Sequence, residues 1–288
     1  MTTVLVTGGN RGLGRATVEK LARRGCDVWL TARDPAKGAR AADEVRRVAP
    51  GVKVEALELD LASFASVRAF AEAFEARGLA LDVLLNSAGV MQQSKTRRVT
   101  TDGFEETLAT NALAPYLLTR LLTPSLARAR AGRVVNVSSR MHLPKSIGPE
   151  LRFDFDDPNL EKDYDPDVAY KNSKLAMMWV TYGLARRLPA PITANAVCPG
   201  FVPKTAAEST HGLMKVVMRT VMPLMPFAHS VDEATDTFVF AALAPELEGV
   251  RGKFFGESKE MPSSDESYDV AKQDRFWTFA ARSVGLPE

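Results

Sequence analysis

Cysteine is scarce in this chain: two residues in 288, Cys26 and Cys198, far apart in sequence. A disulfide framework of the kind that holds small secreted domains together is excluded, and reduced thiols are expected. Histidine is scarcer than metal chemistry would need. The three, His142, His211 and His229, show no metal-ligand spacing with any Cys, Asp or Glu, so no metal is expected. Charge of one sign is missing too. With 37 Lys+Arg against 35 Asp+Glu the net charge is +2, too balanced for a nucleic-acid-binding or polybasic membrane surface. No apolar run approaches the roughly 20 residues that span a membrane. The N-terminus lacks a secretory pattern as well, since it enters a strand-like run at Thr3 and meets glycine at Gly8. Pro/Gly/Ser-rich linkers, tandem repeats and low-complexity tracts are absent. What remains, 45% hydrophobic and 25% charged residues, is the balance of an ordinary globular protein. One cytoplasmic domain over residues 1–288 is expected.

Short apolar, β-rich runs alternate with longer helical patterns. Strands are predicted at Val4-Leu5-Val6, Val28-Trp29-Leu30, residues 52–59, Val83-Leu84-Leu85, Val134-Val135-Asn136-Val137 and residues 192–197. Helices are predicted over residues 12–24, 35–48, 63–77, 102–130 and 167–187. This alternation means parallel strands with right-handed crossovers: an α/β protein built on a Rossmann-type doubly wound parallel sheet with helices on both faces. Strands that are apolar throughout fit a sheet covered on both sides. Two stretches lack pattern. Residues 141–168 form an acidic insert containing Phe153-Asp154-Phe155-Asp156-Asp157. Residues 206–230 are apolar, Met-rich and punctuated by prolines, with Met214, Met218, Met222 and Met225 at roughly helical spacing. Core packing and a flexible lid over an apolar substrate are both open readings of that stripe.

The first strand runs into Thr7-Gly8-Gly9-Asn10-Arg11-Gly12-Leu13-Gly14 and then a helix. Glycines at such a turn let the backbone approach a phosphate, and the helix N-terminus supplies free N–H groups and partial positive charge. Asn86-Ser87-Ala88-Gly89 lies at the carboxyl end of the fourth strand, where strand order reverses. Ser138-Ser139 ends the fifth strand; a hydroxyl there can hydrogen-bond a substrate oxygen. Tyr170-Lys171-Asn172-Ser173-Lys174 sits on a predicted helix, and its i,i+4 spacing puts the phenol and the ammonium on one face. A fixed cation one turn away is expected to pull the phenol down from its ordinary value towards the working range of an acid–base catalyst.

Together these motifs resemble the short-chain dehydrogenase/reductase family, over nearly the whole chain and in the family's order. Three features resemble its retinol dehydrogenase / WW-domain oxidoreductase branch: Asn136-Val137-Ser138-Ser139-Arg140-Met141-His142, the acidic insert, and Gly252-Lys253-Phe254-Phe255. The resemblance implies a catalytic set of Asn111, Ser139, Tyr170 and Lys174, with Ser139 chosen over Ser138 because the second serine of such a pair aligns. It implies a nicotinamide cofactor held by Gly8, Asn10, Arg11, Gly12, Leu13 and Gly14 of the turn. Asp60 would contact the adenine, Leu61 would belong to the same cofactor site, and Asn86, Ala88 and Gly89 would pass under the cofactor at the crevice. Tyr170, Lys174, Pro199, Gly200 and Val202 would lie at the nicotinamide end. One departure stands out: where the family's Pro-Gly-x-x-x-Thr places Thr on the nicotinamide amide, Lys204 stands here and Thr205 follows it.

An NAD-binding sheet of this type ends its second strand with an acid. Here Leu30-Thr31-Ala32-Arg33 puts Ala32 in that place and Arg33 after it, so NADP (NADPH over NADH) is the expected cofactor, with Arg11 as a second contact to the 2′-phosphate. The implied activity is hydride transfer between the nicotinamide and a lipophilic carbonyl/alcohol pair. A non-catalytic dinucleotide-binding regulator and a protochlorophyllide-reductase-like double-bond reductase stay open as alternatives. The expected partners are a small-molecule substrate and, at most, a second copy of the chain: monomer or homodimer, with no nucleic acid and no membrane span. The insert ahead of Tyr170 is placed to obstruct the helix pair through which family members commonly associate. His142 follows Ser139 closely enough to line the substrate pocket, although a structural place fits it better.

Overall fold

The computed structural model describes every residue except 208, 209 and 211. His211 thus lies outside the described residues, as does the side chain of Met214. Strand β1 (Thr3–Val6) buries Val4, Leu5 and Val6 completely. A run apolar on both sides is stable only between two layers of helix. Parallel to it run β2 (Asp27–Ala32), β3 (Val54–Glu58), β4 (Val83–Asn86), β5 (Arg133–Val137), β6 (Thr193–Cys198) and β7 (Phe254–Gly256). A two-residue strand, β8 (Lys259–Glu260), returns antiparallel to β7. The strand order β3-β2-β1-β4-β5-β6-β7-β8 is the Rossmann-type arrangement that the alternation predicts, with two short strands added. The chain builds outward from β1 to β3, then jumps back to lay β4 on the other side of β1, where Val6 pairs with Leu85. A crevice follows at the carboxyl ends of those two strands.

Helices α1 (Gly12–Arg23), α2 (Pro35–Val48) and α3 (Phe64–Glu75) fall where their apolar periods place them. The helix predicted over residues 102–130 is not one helix. It divides into α4 (Glu106–Leu108), a π-helical segment Ala109–Leu113, α5 (Ala114–Leu121) and α6 (Thr123–Arg128). Proline explains both breaks. Pro115 carries no N–H, so the carbonyl of Asn111 loses its α-helical donor and the ladder widens there; Pro124 starts α6 after Leu122 leaves the helical region. The remaining helices are α7 (Pro166–Arg187), α8 (Pro203–Ala206), α9 (Gly212–Thr220), α10 (Val231–Leu243), α11 (Asp265–Tyr268) and α12 (Val270–Ser283).

Side chains alternate across the sheet. Val4, Val6, Leu30 and Leu85 pack with Val18 and Leu21 of α1, Val45 of α2 and Phe238 of α10. Leu5, Trp29, Leu84 and Val134 pack on the other face with α3, α5 and α7. α7 is buried at 17 of its 22 positions, so it has almost no solvent face. Two elements complete that enclosure. The insert lays Phe153 edge-on to Trp179 at 5.1 Å and stacks Phe155 on it at 5.4 Å. α12 seats Trp277 in a notch made by Gly183, where any Cβ would stand 2.7 Å from the indole. The indole meets Tyr116 of α5 edge-on at 4.9 Å and carries the Arg187 guanidinium 4.5 Å above its ring.

Truncating that indole should therefore cost more than an average core side chain. Trp277→Ala is expected to lower the unfolding free energy by about 3–5 kcal/mol, the range for a large buried aromatic. Urea denaturation followed by circular dichroism checks it, and a loss within about 1 kcal/mol of zero would show that α12 does not hold α5 and α7 together.

Candidate active site

The glycine turn is fixed to its neighbours before any ligand is considered. Gly9 N–H donates to the Thr31 carbonyl at 3.0 Å and Gly8 N–H to the Thr31 hydroxyl at 3.3 Å, tying the turn to the end of β2. Thr7 Oγ1 accepts from Ala88 N–H at 3.0 Å, tying it to the loop after β4. Gly8 and Gly12 sit at φ of 66° and 54°, the left-handed region that disfavours side chains. Gly14 packs so closely that a Cβ would lie 2.4 Å from the Gly8 carbonyl oxygen. Arg11 is the N-cap of α1 yet provides no side-chain cap, and the first turn holds no acid. The N–H groups of that turn thus face the crevice uncapped beside a positive helix end, which fits a pyrophosphate. Leu13 packs against the core below. Asn10 is half-buried in the same turn.

Around this turn the structure gathers most of the predicted contacts. Ala32 is buried at the end of β2, and Arg33 after it is exposed, as is Arg11. Asp60 accepts from Ala62 N–H at 3.0 Å through Oδ1, and Leu61 turns its side chain into the core, leaving its backbone for a ligand. Asn86 is different. Its Nδ2 donates to Asn136 Oδ1 at 2.8 Å and Thr119 Oγ1 at 3.2 Å, inside the sheet, so only its main chain can face the crevice. Gly200 has φ 71°, and a Cβ there would stand 2.3 Å from the His229 ring, which backs the Pro199-Gly200 turn. Val202 is buried and precedes α8. Lys204 is exposed, whereas the Thr205 methyl approaches Gly12 of the glycine turn at 3.6 Å from where a Cβ would be. Thr205, not Lys204, therefore faces the cofactor crevice.

The acid–base groups come together on the far side. Ser138 is buried and its hydroxyl donates to the Lys174 carbonyl at 3.0 Å, so it is a structural group. Ser139 turns its hydroxyl the other way, where Oγ accepts from Met141 N–H at 3.2 Å and the Tyr170 phenol lies close by. Lys174 Nζ donates to the Val137 carbonyl at 3.1 Å and lies 5.4 Å from the centre of the Tyr170 ring. Gly89 passes beside it: a Cβ there would be 3.6 Å from Lys174 Nζ and 3.2 Å from Asn111 Oδ1. Asn111 clamps the same loop by accepting from Val90 N–H and donating to the Val90 carbonyl, each at 2.8 Å. Its second N–H goes to Ser173 Oγ at 3.0 Å, so both donors are committed and the side chain fixes the loop after β4. Ser173, three residues after Tyr170, has no counterpart in the motif reading, although the i,i+3 spacing signals it.

Electrostatics correct one expectation. The phenol of Tyr170 is not pulled down by Lys174. Burial pushes it up to about 12, with the Ser139 hydrogen bond opposing. The ring is half-buried by area, but its hydroxyl is deep enough for desolvation to dominate. Burial likewise pushes Lys174 down to about 8, and its ammonium sits over the ring face rather than beside the hydroxyl. Cys198, at the end of β6, is buried and its thiol is pushed up, which suits a small packing residue and not a nucleophile. His142 does not line a pocket. It is 1% exposed, with Nδ1 on the Ser139 carbonyl, Nε2 2.7 Å from Ser263 Oγ, and its ring edge-on to Phe254 at 5.3 Å.

A family model described as short chain dehydrogenase matches residues 2–148. Retinol dehydrogenase 12 of Mus musculus is 37% identical over 284 residues, covering 98% of this chain and 86% of that protein. Polyprenol dehydrogenase of Mus musculus is 36% identical over 288 residues, covering 98% and 83%. Among solved structures, an uncharacterized protein from Mycobacterium Paratuberculosis superposes with a TM-score of 0.75 at 31% identity, over 99% of this chain and 94% of that one.

Burial holds the His142 imidazole neutral, down to about 4 from its ordinary 6.5. A pKa below the unfolded value means stability that is complete above the unfolded pKa and lost as pH falls towards the folded one. Lowering the pH from about 7 to about 5 should therefore cost about 2 kcal/mol through this group. His142→Asn keeps a donor for the Ser139 carbonyl and should flatten that part of the curve. Thermal melts of parent and variant across this range decide it; equal slopes would place the ionisation elsewhere.

Proposed function

Since this chain belongs to the short-chain dehydrogenase/reductase family, we propose that it is an NADP(H)-dependent oxidoreductase that exchanges hydride between the nicotinamide and a lipophilic carbonyl/alcohol pair. The observation that carries this reading is the meeting of Ser139, Tyr170 and Lys174 at the carboxyl ends of β4 and β5, beside a glycine turn shaped for pyrophosphate. The bound nicotinamide supplies or accepts the hydride; binding, orientation and proton movement fall to the chain. The uncapped N–H groups of α1 hold the pyrophosphate, and Thr205 closes over them. Ser139 Oγ orients the substrate oxygen. Tyr170 keeps its proton at neutral pH and, in the reductive direction, gives it to the developing alkoxide. Lys174 Nζ, held by the Val137 carbonyl beside the Tyr170 ring, adds positive charge on that side of the crevice.

A lipophilic substrate is supported by two relatives whose names refer to retinol and polyprenol. It is also supported by the apolar segment that borders the crevice. A monomer is supported by α12 and the insert, which cover the faces of α5 and α7 that family members commonly use to associate.

Tyr170→Phe removes one oxygen and leaves the ring. Turnover is expected to fall by about 10²–10⁴-fold, the usual worth of a general acid, while coenzyme affinity by fluorescence titration stays within a few fold. Near-parental turnover would remove Tyr170 from the proton path.

Coenzyme choice is tested separately. Each charged hydrogen bond to the 2′-phosphate contributes roughly 1.5–3 kcal/mol, so two give about a hundredfold preference or more. The parent is expected to favour NADPH by that factor in kcat/KM, and Ala32→Asp with Arg33→Ala to reverse most of it. A parent that prefers NADH, or a ratio the double change does not move, would overturn the assignment.

A further inference from the structure

Between the nicotinamide turn and α10 the chain makes an excursion that leaves and returns at one point. It departs after Phe201, and Phe201 pairs with Ala228 on its return, while His229 N–H donates to the Phe201 carbonyl at 2.8 Å. The Phe201 and Phe227 rings close the neck at 5.9 Å. The base of the excursion is thus the wall of the cofactor crevice.

Its outer surface is unusual for this molecule. Among the described residues ten large hydrophobic side chains are exposed, and four of them, Val216, Val221, Leu224 and Phe227, lie within this excursion. Leu224 is 79% exposed. Interleaved with them are Lys215 and Arg219, one turn apart on α9, both exposed and neither in an ion pair with any described residue. No Asp or Glu occurs from residue 209 to residue 231. The acids that follow are already engaged: Asp232 pairs with Lys20 at 2.8 Å, and Glu233 closes the capping box of α10 on Ser230. Apolar side chains projecting beside cations that pair with no described residue, in a stretch of sequence without carboxylates, is the composition of a surface that rests on anionic lipid. The near-zero net charge does not oppose this, because the two cations of this stretch stand among its exposed apolar side chains.

We propose that residues 215–227 form a docking face for an anionic phospholipid surface, which sets the mouth of the crevice against the bilayer. The face stands on exposure and charge alone and does not depend on the reaction assigned to the site. Binding requires both components. The apolar side chains enter the headgroup boundary, and the two cations add attraction that salt screens within a Debye length.

The test is co-sedimentation of the full chain with sucrose-loaded vesicles, of phosphatidylcholine alone or mixed with phosphatidylserine, at low and high salt. Binding to the mixed vesicles is expected, weakening with salt, with little to phosphatidylcholine alone. Lys215→Gln with Arg219→Gln should weaken it about thirtyfold, at about fivefold per cation. Leu224→Ser should weaken it too; this side chain is mostly in solvent, so thermal melts should match the parent and separate lost docking from lost folding. Failure of the parent to bind overturns the proposal, as does undiminished binding by both variants. Light scattering provides the remaining outcome: a parent dimer that Leu224→Ser dissociates would assign the face to a second copy instead.

Discussion

Two reciprocal hydrogen bonds set the register on which the site depends. The Ser138 hydroxyl donates to the main-chain carbonyl of Lys174 at 3.0 Å, and the Lys174 ammonium donates back to the carbonyl of Val137 at 3.1 Å. They lock the end of β5 to the third turn of α7, so the residue after Ser138 and the residue one turn before Lys174 must face each other. A buried network deeper in the sheet holds the same pair of elements: Asn86 donates to Asn136 at 2.8 Å, and Asn136 to Thr181 of α7 at 3.0 Å. Asn86 Oδ1 has no partner among the described residues, which is a cost. Polar groups placed so deep fix one register, because any slide of α7 along β5 would strand several of them at once. The enclosure of α7 by the insert and α12 follows from the same need: a helix with almost no solvent face cannot be held by one side alone.

Local pattern made the frame legible. Apolar runs of period two and stripes of period 3.6 are properties of consecutive residues, and they locate α2 to the residue and β1, β4 and β5 to within one. Glycines at the first turn and the Tyr170–Lys174 spacing are equally local. The failures share a physical origin. The break at residues 109–113 arises from one missing N–H at Pro115 inside an otherwise helical stretch, and helical propensity outweighs it in any averaged reading. β7 and β8 are too short for alternation to register, and they exist because β6 offers an edge. The fate of Asn86 and His142 could not be read from neighbours in sequence, because their partners, Asn136 and Ser263, lie 50 and 121 residues away. Gly183 needed Trp277 to explain it.

The same distinction governs the proton chemistry. Spacing alone pairs a cation with a phenol and suggests that the cation lowers it, which is right when both groups are wet and side by side. Folding adds desolvation, which acts on the two groups with opposite sign: it raises the acid that would become an anion and lowers the cation that would become neutral. Tyr170 moves up to about 12 and Lys174 down to about 8. The outcome is an ordered pair. The stronger proton holder sits against Ser139, where substrate oxygen would lie, and the weaker one stands behind it beside Asn111, Gly89 and the Val137 carbonyl. Were the order reversed, with a low phenol and a high ammonium, the resting site would hold phenolate and favour taking a proton from an alcohol. Burial of this pair, more than its spacing, thus decides which of the two groups holds its proton more tightly.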